Sequence, residues 1–304
     1  MTVKNILDRN VLLKKIADDC KAQGGNADLE LMQALIGARN AVKARKPLIH
    51  GMTGAVAIND CANVALAIGA SPIMAEHPDE VEDITAHAAG LAVSLANITE
   101  DRMCAIMKSG RVACNRNIPS VIDVVGVTCS GLRMKFAKQF ISECRPSVIK
   151  GNISEIKAMA GADYCSAGVD VSSLDAVGSS DEEKLRRLAG IVGEYAKETL
   201  SVVFASGEVD IISDGCRTYY IENGVHEMAK VTGTGCMLNV ITAVYLSAAA
   251  PLEAAILAAV TLGISGELAD MSKGLGTYHM SLIDRLSMLS DEDIKEKSRI
   301  IRAD

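Results

Sequence analysis

Lys230-Val231-Thr232-Gly233-Thr234-Gly235-Cys236 runs straight into a long stretch of small and apolar residues. Two glycines one residue apart let a backbone turn sharply and present consecutive N–H groups. A helix starting at about Cys236 adds its positive dipole end to the same spot. Together these make an anion site, and phosphate is its commonest biological occupant. A cysteine there has its thiolate favoured by the helix end. The stretch reads as a phosphoryl cradle with a reactive group inside it. The plainer alternative is a helix start that needs glycine for geometry alone, and seven residues do not choose between the two.

Working outward, the chain of 304 residues is long enough for a large single core. Apolar residues make up 49%, yet aromatics only 3%, and Trp is absent. Its apolar volume therefore comes from Ala, Ile, Leu, Val and Met, which suits helices packed closely on a sheet. The net charge of −7 gives no electrostatic footing for a nucleic-acid partner. The short basic runs, Lys43 to Lys46 and Arg186-Arg187, read as solvated helix faces or turns. Nine cysteines stand singly, with no C-x-x-C pair, which argues against a zinc site and a disulfide framework. A reduced cytoplasm is the expected location. Charges at Lys4, Asp8 and Arg9 fall where a signal peptide would carry its apolar core. The most hydrophobic region, Val240 to Ile264, is interrupted by Ser247, Pro251 and Glu253. It reads as two buried helices joined at the proline rather than a membrane span.

No linker or repeat divides the chain. The first thirty or so residues suggest an amphipathic helix (Ile6, Leu7, Val11, Leu12, Ile16), an appendage ahead of the main unit. From Pro47 short apolar runs alternate with helical patterns. Strands are expected at Leu91–Leu95, Ser120–Val125, Ser147–Ile149, Ser201–Ala205, Val209–Ser213 and Thr218–Glu222. Helices are expected at Asn59–Ile68, Glu80–Ala88, Glu100–Asn117, Leu132–Cys144, Ser154–Ala160 and Asp181–Thr199, then helix on helix from Cys236 to the end. Such alternation implies parallel β-α-β units, a sheet covered on both faces, and ligands at the carboxyl ends of the strands. The pair around Asp214-Gly215 looks like a hairpin on the sheet edge.

Several strand ends carry polar groups. Asp123 interrupts the apolar run Val121-Ile122-Asp123-Val124-Val125, where a carboxylate is costly unless paired or bound to a cation. A turn capped by Asp123 is the ordinary explanation. In Lys150-Gly151-Asn152-Ile153-Ser154-Glu155, Asn152 and Glu155 fit a helix cap with its third-position acid. Capping does not account for Lys150. A lysine, an amide and a carboxylate at a strand end suit phosphate with a hydrated Mg²⁺. Ser206-Gly207 after another strand offers a hydroxyl and amides for phosphate oxygens, or a plain hairpin turn. Met74, in Gly69-Ala70-Ser71-Pro72-Ile73-Met74, reads as core packing by itself. His50 and His77 read as structural or exposed.

The order of these motifs resembles hydroxyethylthiazole kinase, a family of the ribokinase-like superfamily, from about Pro47 to Leu289. The resemblance implies a ribokinase-like three-layer α/β/α fold with a mostly parallel central sheet, in one domain over 41–304 behind a helical extension over 1–40. It implies ATP-dependent phosphorylation of the primary alcohol of 5-(2-hydroxyethyl)-4-methylthiazole in thiamine salvage. By position, Gly233 to Cys236 would hold the transferred phosphoryl and Gly233 would touch the substrate. Cys236 would stand in for the superfamily's catalytic aspartate. Lys150 and Ser206 match ATP contacts, Asp123 and Glu155 the acidic pair associated with Mg²⁺, and Met74 a residue of the thiazole pocket. Members of the family are homotrimers with the site between subunits.

Two segments depart from the family. Its Ile-Thr-Asn-Asn run reads Met52-Thr53-Gly54-Ala55 here, losing both loop amides, and its Asp-Pro-Val-Gly-Ala-Gly segment reads Asp123-Val124-Val125-Gly126-Val127-Thr128. These changes bear on the substrate more than on the kinase chemistry. The alternatives are a kinase of another small heterocyclic or sugar-like alcohol, an ATP-dependent dehydratase of hydrated nicotinamide cofactors, or a non-catalytic nucleotide-binding paralogue. The cysteine in the cradle and the Gly69–Met74 run speak against the dehydratase.

Overall fold

The computed structural model describes residues 29–163 and 181–303. Among the described residues nine strands form one sheet: β1 (Leu48–Met52), β2 (Ser71–Ile73), β3 (Gly90–Ser94), β4 (Ser120–Asp123), β5 (Val148–Asn152), β6 (Val202–Ser206), β7 (Asp210–Ser213), β8 (Thr218–Ile221) and β9 (Ile300–Arg302). Their order is β2-β1-β3-β4-β5-β6-β7-β8-β9. The pairs from β2 to β6 are parallel, and the last three are antiparallel.

Side chains alternate across a strand, and that period sorts the core into two layers. Ile49, Ala92, Val121, Val148, Val202, Phe204 and Ile212 face one way. They pack under α1 (29–45), α2 (Ile58–Ala67), α8 (Thr234–Leu246), α9 (Pro251–Leu268), α10 (Leu275–Met288) and α11 (Asp291–Lys297). Leu91, Val93, Ile122, Ile149, Val203, Ala205 and Ile211 face the other way. That layer holds α3 (Val81–His87), α4 (Glu100–Arg116), α5 (Gly131–Cys144), α6 (Ile153–Met159) and α7 (Glu182–Thr199). The expected three-layer α/β/α architecture is therefore what the chain adopts.

The six expected strands and six expected helices all occur, with ends shifted by no more than two residues except β5, which runs three residues past the expected Ile149. Three strands escape the sequence pattern: β1 contains His50 and Gly51, β2 has three residues including Pro72, and β9 follows the last helix. The C-terminal run is thus not helical to its end, because Ile300–Arg302 pairs with β8 and takes the sheet edge expected for the hairpin. The two apolar helices meet at Pro251 as expected, and α9 lies mostly buried inside the protein. Helix α1 runs unbroken over 29–45, across the division expected at residue 40, with Leu35 and Val42 fully buried on the core. The amphipathic helix expected from Ile6 to Ile16 lies outside the described residues.

Candidate active site

The alternation that builds the core also builds the site. On the α8 side of the sheet, two residues beyond an apolar side chain, each central strand presents a polar one. Ile49 is followed by Thr53 after Gly51, Ala92 by Ser94, Val121 by Asp123, Val148 by Lys150, and Phe204 by Ser206. Registry brings Ser94 beside Asp123, Asp123 beside Lys150, and Asn152 beside Ser206. A row of polar groups therefore crosses the carboxyl ends of the parallel strands, beneath the start of α8.

Lys150 Nζ lies 3.3 Å from Asp123 Oδ2, and both side chains are about fully buried. Burial raises the Asp123 carboxyl despite the ammonium beside it. Burial pulls Lys150 down, but the negative groups around it, Asp123 first, together hold it above its ordinary value and keep it charged. Isolated charges here would be costly, so each needs the other.

Glu155 closes the cap on α6 that its spacing predicts. Asn152 Oδ1 accepts from Glu155 N at 2.9 Å, and Glu155 Oε2 accepts from Asn152 N at 2.8 Å. Capping is only half of its role. Glu155 Oε1 accepts from Gly126 N at 2.6 Å, tying α6 to the turn after Asp123. Burial, and then the charge of Asp123, pushes its carboxyl up to about 7. Two acidic groups, Asp123 and Glu155, with the single ammonium of Lys150 near them leave the spot short of positive charge. Among the described residues no group of three His, Cys, Asp or Glu side chains forms a metal cage. One or two carboxylates completed by water and phosphate is how Mg²⁺ is usually bound, so the donor set fits that ion.

Gly233 ends the cradle loop at φ +90, a conformation that other residues rarely adopt, and caps α8 without a side-chain hydrogen bond. A Cβ on Gly233 would lie 3.0 Å from Ala57 Cβ, so α2 backs the turn closely. The first-turn amides of α8 carry the helix's positive end over the Asp123–Lys150 pair. A Cβ on Gly235 would lie 3.6 Å from Lys150 Nζ. Cys236 faces the hydroxyls of Thr53 and Ser94, which favour its thiolate, as does Lys150. Burial and the charge of Asp123 outweigh them and push the thiol above its ordinary value. The helix end expected to favour the thiolate is therefore opposed by burial and by Asp123. The helix dipole is present, but the thiol has lost its water and sits by a carboxylate.

Ser206 sits at the far end of the row, half-buried, with its hydroxyl donating to Gly151 O at 3.3 Å. Met74 sits at the other end, after β2, and leans over β1, where a Cβ on Gly51 would lie 2.9 Å from its sulfur. Cys236, Asp123, Lys150, Glu155 and Gly233 are thus gathered together, with Ser206 and Met74 at opposite flanks. His50 is fully buried, with Nδ1 2.8 Å from Thr85 Oγ1 and Nε2 2.9 Å from Ala75 O, a structural post as expected. His77 is exposed.

The sequence reading misses Thr53, Ser94, Asp210 and Arg102. The first two follow from the period-2 phase once β1 and β3 are known. Asp210 accepts from Gly207 N at 2.9 Å, fixing the turn after Ser206, and burial pushes its carboxyl up to about 7. Arg102 looks like any charge on an amphipathic helix.

With the geometry in hand, comparison with known proteins places the chain. Residues 40–292 match the model of the Hydroxyethylthiazole kinase family. Hydroxyethylthiazole kinase 2 of Clostridium botulinum strain 657 is 48% identical over 262 residues, covering 86% of this chain and 98% of that one. A solved structure of the hydroxyethylthiazole kinase protein from Pyrococcus horikoshii OT3 superposes with TM-score 0.79 at 29% identity, over 89% of this chain and 99% of that one. A ribokinase-like superfamily protein from Enterococcus faecalis V583, at TM-score 0.54 and 12% identity over 82% and 89% of the two chains, shares the fold alone. The length of the match, the level of identity and the ribokinase-like fold agree: the chain belongs to the hydroxyethylthiazole kinase family.

Proposed function

We propose that the protein transfers the γ-phosphoryl of ATP to the primary alcohol of 5-(2-hydroxyethyl)-4-methylthiazole, a step of thiamine salvage. The observation that carries this reading is the order of groups along the strand ends. From Met74, just after β2, to Ser206 at the end of β6 the row crosses up to five strand spacings, about 24 Å at about 4.8 Å each. That length suits an alcohol at the Met74 end, a triphosphate towards Ser206, and the cradle between them.

Phosphoryl transfer depends on in-line placement and on neutralising charge. In this reading Lys150 and the first-turn amides of α8 hold the phosphate oxygens, and Ser206 takes part of the nucleotide. Gly233 lets the cradle backbone approach the alcohol, whose ring lies against Met74. Cys236 orients the hydroxyl and accepts its proton as the new O–P bond forms. Asp123 and Glu155 are the residues that would hold Mg²⁺, which supplies further charge neutralisation when bound. Because the Cys236 thiol is held above its ordinary value, little of it is thiolate near neutral pH, so placement carries much of the catalysis.

The kinase unit is taken as residues 41–304, with 1–40 as a helical extension ahead of it whose last residues, from 29 on, belong to α1 and pack on the core. The assembly is taken as a homotrimer, as the family resemblance implies, and its location as the reduced cytoplasm that nine single cysteines suggest. The test is direct detection of phosphorylated product from ATP, Mg²⁺ and a panel of alcohols that includes hydroxyethylthiazole and hydroxymethylpyrimidine. Phosphorylated thiazole is the expected product. Product from another alcohol alone overturns the substrate, and ATP binding without any product overturns the kinase reading.

A further inference from the structure

Arg102 is misplaced if stability were its only purpose. It occupies the third position of α4, in a first turn where the dipole favours acids, and is 8% exposed. Burying a guanidinium is costly unless its donors are used. Here they are used on three separate loops. Nε donates to Asn97 O at 2.7 Å in the loop after β3. One terminal nitrogen donates to Thr53 O at 3.0 Å in the loop after β1. The other pairs with Glu76, two residues beyond Met74 in the loop after β2.

Each of those loops borders the alcohol end of the row. Thr53 offers its hydroxyl to Cys236 and accepts from Cys61 Sγ at 3.8 Å. Asn97 Oδ1 accepts from Ala55 N at 3.3 Å. In the loop after β1, Gly54 and Ala55 offer no polar side chain for holding it. A Cβ on Gly54 would lie 2.8 Å from Ala96 Cβ and 3.0 Å from Asn97 Oδ1. The loop after β3 lies in contact with it, and Arg102 fastens the two together.

Resting on the kinase reading above, we propose that Arg102 is a positioning residue for the acceptor alcohol: it locks the loops after β1, β2 and β3 into one rim, with Asn97 holding the backbone of the loop after β1. A lysine has no planar fork to reach three acceptors, so the role belongs to arginine. The nucleotide contacts assigned to Lys150 and Ser206 lie on β5 and β6, away from these loops.

The experiment compares Arg102→Met, Glu76→Gln and the double variant with wild type, measuring KM for alcohol and for ATP and the melting temperature. Arg102→Met is expected to raise the alcohol KM by about tenfold or more, while the ATP KM stays within about twofold. Glu76→Gln is expected to raise the alcohol KM less, by about threefold, and to add little in the Arg102→Met background because the two act as one unit. A folded Arg102→Met with wild-type alcohol KM overturns the proposal, as do alcohol and ATP KM values that rise together. If Arg102→Met does not fold, Glu76→Gln decides, since its carboxylate is about half exposed and outside the core. An unchanged alcohol KM there overturns the proposal equally. Wild-type turnover of the thiazole alcohol tests the kinase reading alone. The variant-to-wild-type ratios, taken with whichever panel alcohol is phosphorylated, test Arg102.

Discussion

The two faces of the same strand ends differ completely in chemistry. Towards α8 the strands finish in Thr53, Ser94, Asp123, Lys150 and Ser206; towards α3–α7 they finish in Met52, Val93, Ile122, Ile149 and Ala205. Both faces are buried for most of their extent. The apolar face stabilises by the area it removes from water. A buried ion pair is weak evidence for stability and is often neutral or worse against apolar packing. Stability therefore does not explain the α8 face, and the difference marks where this fold gives up stability for function.

The largest break in this comparison comes from Lys150→Met. Asp123 is left buried with its ammonium gone, which costs about 3–5 kcal/mol of stability. Turnover at saturating substrates falls on the order of 10³-fold, the scale for losing a donor to developing charge. The double variant Asp123→Leu/Lys150→Met separates the two effects. It regains melting temperature because no unpaired charge remains, yet stays inactive. Recovery of turnover in the double variant would mean that the pair is structural.

Ile122→Ala probes the opposite face of β4, next to Asp123 in sequence but pointing away from it. Ile122 is fully buried against the α3–α7 layer. The cavity costs about 2–5 kcal/mol. Measured per folded molecule, kcat and both KM values stay at wild-type level. A kcat that falls with the melting temperature would show that the two faces are coupled through β4, and the comparison would fail.

How much of this was legible depends on which signal a residue lies in. Leu91–Leu95 and Ser201–Ala205 are apolar runs long enough to announce strands, so the parallel centre of the sheet is readable. Leu48–Met52 carries His50 and Gly51 and reads as a turn, so the phase that puts Thr53 in line with Ser94 and Asp123 stays hidden. Asp123, Lys150 and Glu155 stand out because charge interrupts an apolar run or exceeds what a helix cap needs. Arg102 gives no such signal, since its partners Thr53, Glu76 and Asn97 meet it only through the pairing of β2, β1 and β3. The cysteine was legible as a site and not as a state. Its helix end is visible in Gly233-Thr234-Gly235, whereas its burial beside Asp123 is a tertiary fact.

That state gives the smallest of the three effects and the finest test of the polar face. If Cys236 only assists placement and proton acceptance, Cys236→Ala slows turnover by about 10²-fold or less, the lower range for a general base, and does not abolish it. The sign of the pH dependence follows from the raised thiol. Thiolate forms only above the ordinary thiol range, so a thiolate base makes turnover climb with pH and still climb where an unperturbed cysteine would have levelled. Cys236→Asp puts a group there that ionises far lower, so its profile is flat over the same range and its turnover equals or exceeds wild type. A wild-type profile already flat from neutral pH, with Cys236→Ala as slow as predicted, would leave the thiol orienting the alcohol without taking its proton. The base would then have to be sought elsewhere on the α8 face, with Asp123 the nearest carboxylate whose charge the thiol feels.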